Sequence, residues 1–291
     1  MAGACDGMPC GLTYDQVTWA GAHNAMSTAA AGFTTVQQHR SLTQQLDAGI
    51  RELDLDAHAW DEPVDRAAVV ARLPSAVRAI TGDLLDQEAA EPHPGVFLCH
   101  TICQLGSTPA VAALQPVRAW VAAHAQAVVT IVIEDHVAVA PVEEVLSRAG
   151  LDPYLATPPD SPVGAWPTLG RMVATGNRVV VLAERRDGGA GSPYRNVFRY
   201  AAETPYDATS PGGLTCAPGR GPAEPERLVL NHFLAEPGDV SGLNTRADIL
   251  GQARRCLMAR GARSAYLVVD DADVGDVVGA AHELTAEQAA R

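Results

Sequence analysis

Six residues stand out by type and position: His23 and Asn24 in AGAHNAMS, Asp54 and Asp56 in GIRELDLDAH, His100 in VFLCHT and Glu134 in VTIVIED. Each lies at the end of an apolar, β-rich run. Four of them offer carboxylate or amide oxygens, the donors preferred by a hard divalent cation such as calcium. The two imidazoles suit proton transfer. A cation that polarises an alcohol and a phosphate, beside two groups that move protons, is equipment for breaking a phosphodiester. Taken singly, each residue has a plainer reading. Asp56 can cap a loop, Glu134 can be solvated, and a lone histidine usually packs. Several strands delivering such residues at one end point instead to a shared site.

The run from Ile50 to Asp56 shows the logic. Side chains two apart share a face of a strand, so Ile50, Glu52, Asp54 and Asp56 point one way and Arg51, Leu53 and Leu55 the other. The second, mostly apolar set is expected to meet covering helices. The first lines an interior, with Asp54 and Asp56 near its mouth. Carboxylates that close repel each other unless a cation or proton sits between them. Glu52 is deeper, and either orients a ligand from behind or pairs with an arginine.

Eight β-rich runs can be marked, at 17–21, 50–56, 95–99, 128–134, 178–184, 196–201, 227–231 and 265–270. Most are apolar on both faces, as strands covered by helices are. Helix-like segments fall at 37–48, 108–125 (with Thr108 as N-cap before Pro109), 141–149 and 244–261. The stretch 60–94 is long for one connection and is expected to hold a helix over 65–80 and a loop closing over the mouth. Proline- and glycine-rich stretches at 157–168, 187–193 and 208–225 read as surface loops. The pattern predicts an α/β fold, a single (β/α)8 TIM-type barrel over 1–291, irregular between 150 and 215. Such barrels present their chemistry at the C-terminal ends of the strands, where these six residues lie.

The net charge is −13, and all 21 basic residues are arginine. An acidic surface argues against nucleic acid or a strongly anionic membrane as main partner. Six cysteines at 5, 10, 99, 103, 216 and 256 lack the spacing of a zinc site. They read as three disulfides, Cys5–Cys10, Cys99–Cys103 and Cys216–Cys256, or else as buried thiols; the first reading places the protein outside the cytosol. A Cys99–Cys103 bridge would restrict the loop carrying His100. The first ten residues do not form a signal peptide, and no run is long enough to span a bilayer. The expectation is a secreted or extracytoplasmic monomer, free or anchored through a segment outside these residues.

GAHNAMS, QQLDAGIRELDLDAH, LCHTIC and VTIVIEDH, in this order, resemble the X-region of phosphatidylinositol-specific phospholipase C and its bacterial relatives. VLNHFLAEPGDVSGLNTRADIL and YLVVDDADVGDVVGA extend the resemblance over most of the chain, poorly across 150–210. The resemblance implies a calcium ion held by Asn24, Asp54, Asp56 and Glu134. Asp54 departs from the pattern, in which the first acid is often Glu, and this weakens its case as general base. The metal-independent branch uses an arginine in place of the ion. No basic residue follows Asp54, so the metal-dependent branch is the nearer one. Relatives acting on phosphoinositides carry lysines where this chain has Leu182 and Glu184, which argues against a polyphosphorylated head group. Glu184 would instead meet hydroxyls of a neutral sugar or inositol ring. Asn231 is expected to line the same pocket, His232 to face outward, and Asp270 or Asp271 to orient His23.

The implied reaction is attack of a substrate hydroxyl on the neighbouring phosphorus to give a cyclic phosphodiester. His23 stabilises the phosphorane or relays the proton, His100 protonates the leaving oxygen, and Asp54 or Glu134 acts as base. The implied partner is a phospholipid or glycolipid head group met in transient contact with a membrane surface. Two rivals stand beside it. A glycerophosphodiester phosphodiesterase uses the same barrel, but HNA replaces its HRG opening and its EN pair is missing. A non-catalytic secreted binding protein would have little use for both histidines and all four ligand candidates.

Overall fold

The computed structural model describes residues 4–60, 93–100, 102–161, 166–235 and 240–290. The helix expected over 65–80 and the loop closing over the mouth lie outside the described residues. In chain order the strands are β1 (Ala4–Cys5), β2 (Met8–Pro9), β3 (Trp19–Ala22), β4 (Glu52–Ala59), β5 (Val96–Cys99), β6 (Ser107–Pro109), β7 (Val129–Asp135), β8 (Val179–Ala183), β9 (Tyr194–Asn196), β10 (Ala202–Glu203), β11 (Arg227–Asn231) and β12 (Arg263–Val269). The α-helices are α1 (Leu42–Asp47), α2 (Ala110–Ala123), α3 (Val139–Arg148), α4 (Leu169–Thr175), α5 (Arg246–Arg260) and α6 (Val277–Ala289).

Eight strands run parallel in the order β10-β11-β12-β3-β4-β7-β8-β9 and curl into a half-barrel. The α/β barrel expected from the sequence is therefore present, and its irregularity falls within 150–215. The expected strand 196–201 resolves into β9 and β10, separated by a 3-10 turn over Val197–Arg199. Five residues, 197–201, join them. Neighbouring parallel strands need a crossover of a dozen or more residues, so β9 and β10 cannot pair and the barrel stays open at this seam.

The third expected stave is corrected. β5 is antiparallel to β4, with Ala57 opposite Leu98, and forms a hairpin with β6. β3 occupies the lower part of the same β4 edge, at Glu52 and Leu53, and β5 covers the part above. The next parallel neighbour of β4 is β7. This also corrects the cap of α2. Thr108 pairs with Leu98 in the hairpin, and Pro109 stands at the N-cap.

Two apolar layers hold the sheet. Leu53, Leu55, Ile131, Ile133, Val179 and Val181 face the helices, against Leu46, Leu114, Leu146 and Ile249. Ile50 belongs to this layer rather than to the barrel interior, because it precedes β4. Val132, Leu182, Val268, Tyr14, Trp19, Trp166 and Tyr266 fill the interior below the mouth. The Tyr14 hydroxyl hydrogen-bonds Thr130 Oγ1 and the Tyr266 hydroxyl, both at 2.7 Å, so the plug's buried polar atoms are satisfied.

Local signals explain the helix ends. Thr245 Oγ1 accepts from the Asp248 amide, Asp248 sits in the first turn of α5, and Gly261 at φ 67° closes it. Helix α6, which the sequence reading did not mark, starts where Asp276 Oδ1 accepts from Gly279 N at 2.8 Å. All three expected disulfides, Cys5–Cys10, Cys99–Cys103 and Cys216–Cys256, are formed.

Candidate active site

Register assembles the site. On β4, Glu52, Asp54, Asp56 and His58 share the inward face. Asp56 pairs with Glu134 across the β4–β7 ladder, and the Glu184 amide donates to Ile133 O one strand further on. Asp56, Glu134 and Glu184 thus form one tier on three adjacent staves. Asp54 lies in the tier below beside Val132 and Leu182, and Glu52 beside Thr130 and Val180. Gly21, the partner of Glu52 on β3, leaves room for the Glu52 carboxyl, which a Cβ there would meet.

On the other side, Ala22 pairs with Val269, so the residues just beyond, His23 and Asp270, become neighbours. His23 Nδ1 and Asp270 Oδ1 are 2.8 Å apart, and the His23 ring stacks on Phe233 at 3.6 Å. Asp270, not Asp271, is the orienting acid; Asp271 faces His39 instead. Asn24 adopts a left-handed backbone (φ 44°), which asparagine tolerates better than most residues. This bend sets its amide among three site groups: both Asp56 oxygens at 3.0 and 3.1 Å, His23 Nε2 at 3.0 Å and His100 Nδ1 at 3.0 Å. With nitrogen toward Asp56 the amide donates to the carboxylate, and its carbonyl accepts from the imidazoles. The opposite orientation turns that oxygen toward the carboxylate, the arrangement a cation between them would require.

His100 arrives from the β5–β6 hairpin rather than from a stave. Its Nδ1 lies 3.3 Å from Asp56 Oδ2, next to the Cys99–Cys103 bridge. Each imidazole is therefore backed by one carboxylate. Both open on a cavity of about 550 Å³ that is also lined by Asn24, Asp54, Glu134 and Glu184.

The cavity holds more acid than its bases neutralise. Burial pushes Asp54 well above the usual carboxylate range, reinforced by Glu184, Glu52, Asp56 and Glu134. Burial and Glu184 do the same to Glu52. Burial lifts Glu184 to about 7 even though Arg220 Nη1 donates to it at 2.7 Å. Burial would raise Glu134 too, but His136 at 3.1 Å and Arg185 at 2.6 Å outweigh it and hold Glu134 below the ordinary range. Asp54 Oδ1 and Glu52 Oε2 are buried with no hydrogen-bond partner. Buried carboxyl oxygens without a partner, beside an amide, suit a hard divalent cation in donor type. Among the described residues no group of three or more acidic, imidazole or thiol side chains is placed to hold a metal ion, and Glu134 is paired with Arg185 and His136.

The sequence reading missed several lining residues. His58 and His136 extend the inward faces of β4 and β7 and stack at 3.9 Å; continuing the alternation past Asp56 and Glu134 finds both. Arg185 and Arg220 also line the cavity. Arg220 comes from a loop read only as surface, donates to Glu203 at 2.5 and 2.9 Å, and lies over Phe198 and Tyr206. Nothing in its sequence context marks it. Asn231 lines the cavity but spends its amide nitrogen on Thr204 O at 2.7 Å. His232 points away from the cavity into the fold, between Gln252 and Leu243 O.

The chain is similar to several known proteins. A PI-PLC X domain-containing protein of Arthroderma benhamiae is 28% identical over 242 residues, 79% of this chain and 68% of that protein. An uncharacterized secreted protein of the same fungus is 22% identical over 96% of this chain and 62% of its own length. A PI-PLC X domain-containing protein of Arabidopsis thaliana is 26% identical over 66% of this chain and 41% of its own length. The chain thus spans about two thirds or less of these relatives. The structure of the Listeria monocytogenes phosphatidylinositol-specific phospholipase C superposes with a TM-score of 0.55 over 94% of this chain and 96% of that one. At 12% identity that likeness shows the fold alone. The PI-PLC X model matches residues 64–285, most of the sequence, and on that match the chain belongs to the PI-PLC X domain family.

Proposed function

We propose that this protein is a secreted, calcium-dependent phosphodiesterase of the phosphatidylinositol phospholipase C type. It cleaves a non-polyphosphorylated inositol lipid or glycolipid by attack of a neighbouring hydroxyl, giving a cyclic phosphate. The observation that carries this reading is the pair of carboxylate-backed imidazoles, His23–Asp270 and His100–Asp56, opening on one acidic cavity. Three disulfides and a relative named as secreted support a place outside the cytosol.

Asn24, Asp54, Asp56 and Glu134 are the residues that would hold calcium, which supplies Lewis-acid polarisation of the attacking hydroxyl and a phosphate oxygen. Asp54 is the better base of the two candidates, because its environment favours the protonated form while Glu134 is held ionised. His23, fixed by Asp270 and Phe233, faces the phosphate and donates to its developing charge. His100 gives its proton to the leaving oxygen, and Asp56 stabilises the imidazolium before that step. Glu184 and Glu203, locked by Arg220, offer acceptors to ring hydroxyls. A cavity richer in acid than in base disfavours extra phosphates on that ring.

Phosphatidylinositol vesicles with calcium, followed by phosphorus NMR, test the proposal. A cyclic inositol phosphate is expected, with turnover lost on chelation and in His100→Ala. A linear product, or a preference for water-soluble glycerophosphodiesters, favours the glycerophosphodiesterase alternative. Full turnover in chelator would instead favour an arginine serving in the ion's place, and Arg185, already in the cavity, is the residue positioned to do so. Equal behaviour of His100→Ala and parent on every phosphodiester, with ligand binding kept, leaves a binding protein.

A further inference from the structure

The cavity's two arginines are held very differently. Arg220 contacts Glu184 and both oxygens of Glu203 and lies over two aromatic rings, so moving it breaks five contacts. Arg185 holds one carboxylate, Glu134, through Nη2 at 2.6 Å, and its side chain is 50% exposed. Its backbone is fixed, because its amide donates to Asp135 Oδ1 at 2.8 Å. The side chain can therefore swing into solvent while the main chain stays put. Glu134 is also one of the four cation-ligand candidates and lies beside Asp56 in the β4–β7 ladder.

We infer that Arg185 is a built-in competitor of the divalent ion, neutralising Glu134 when the ion is absent and yielding it when the ion binds. The inference rests on the calcium reading above and adds what sets the affinity of that site. A partly exposed ion pair is weak, so the ion displaces the guanidinium at small cost. Part of the intrinsic affinity goes into that displacement.

Calcium titration by calorimetry on the folded parent, Arg185→Gln, Arg186→Gln and Asp56→Asn tests this. Arg185→Gln should bind calcium more tightly by up to about fivefold, the strength of one half-exposed ion pair. Arg186→Gln removes the same charge from the next position and should change affinity less. Tighter binding in Arg185→Gln alone, or binding in that variant where the parent shows none, supports the competition. Unchanged or weaker binding in Arg185→Gln, or an equal gain in Arg186→Gln, overturns it even though the parent binds calcium. Equal affinity in the parent and Asp56→Asn sinks the calcium site itself, as does no binding in any protein, and the competition falls with it.

Discussion

Each imidazole proposed as catalytic contacts one acid that holds its orientation. Asp270 contacts His23 through Nδ1 and is buried, so Asp270→Asn should leave the fold intact while disorienting the ring. We expect kcat to fall by about 10²-fold or more with KM little changed, the scale of a lost general acid–base step; a fall confined to KM would mean Asp270 does not serve His23. His58 gives a pH signature. Burial, helped by neighbouring His136, lowers it from 6.5 to about 4, so the folded state holds it neutral. Its folded value lies below its unfolded one. The associated stability is thus fully present above about pH 6.5 and is lost as pH falls toward 4, by up to about 3 kcal/mol. Urea unfolding at pH 7 and 4.5 should show a smaller acid loss in His58→Gln than in the parent; identical losses would count against this assignment.

Among the elements, the β5–β6 hairpin decides most. It is an excursion from the barrel, yet it delivers His100, and the Cys99–Cys103 bridge closes the loop directly around that residue. Cross-link entropy grows with the length of chain enclosed. Cys216–Cys256, at a separation of 40, should contribute about 4 kcal/mol, and Cys99–Cys103, at a separation of 4, about 2 kcal/mol. Replacing each pair by alanine should therefore reverse the order of damage. Loss of the long bridge lowers the urea midpoint more, while loss of the short one lowers kcat more, because His100 loses its fixed approach to Asp56. Equal activity in the two variants would mean the bridge does not position His100.

For the whole molecule, net charge and ion binding set the behaviour. If calcium occupies the proposed site, about 100 Kd of it adds about 2.7 kcal/mol to the folded state and should raise Tm by roughly 5 °C, a rise that Asp56→Asn abolishes. With a charge of −13, the protein should bind vesicles less as the fraction of anionic lipid other than its substrate increases, and salt should restore binding. Co-sedimentation at low and moderate ionic strength measures this directly.

The sequence by itself determined most of the staves, the inward parity of Glu52, Asp54 and Asp56, the two closely spaced cysteine pairs and the residue types of the site. These are local properties: alternation, turn chemistry and short cysteine spacing are written in neighbouring residues. Tertiary structure alone decided which side chains meet. The pairing of Asp56 with Glu134, the contact of His23 with Asp270 rather than Asp271, and the antiparallel turn of Val96–Cys99 all follow from strand register, which couples residues far apart in the chain. The open seam between β9 and β10 and the arrival of Arg220 over Glu184 follow from connection length and loop path. No periodic pattern records these, because the energy that selects them arises only when distant segments pack.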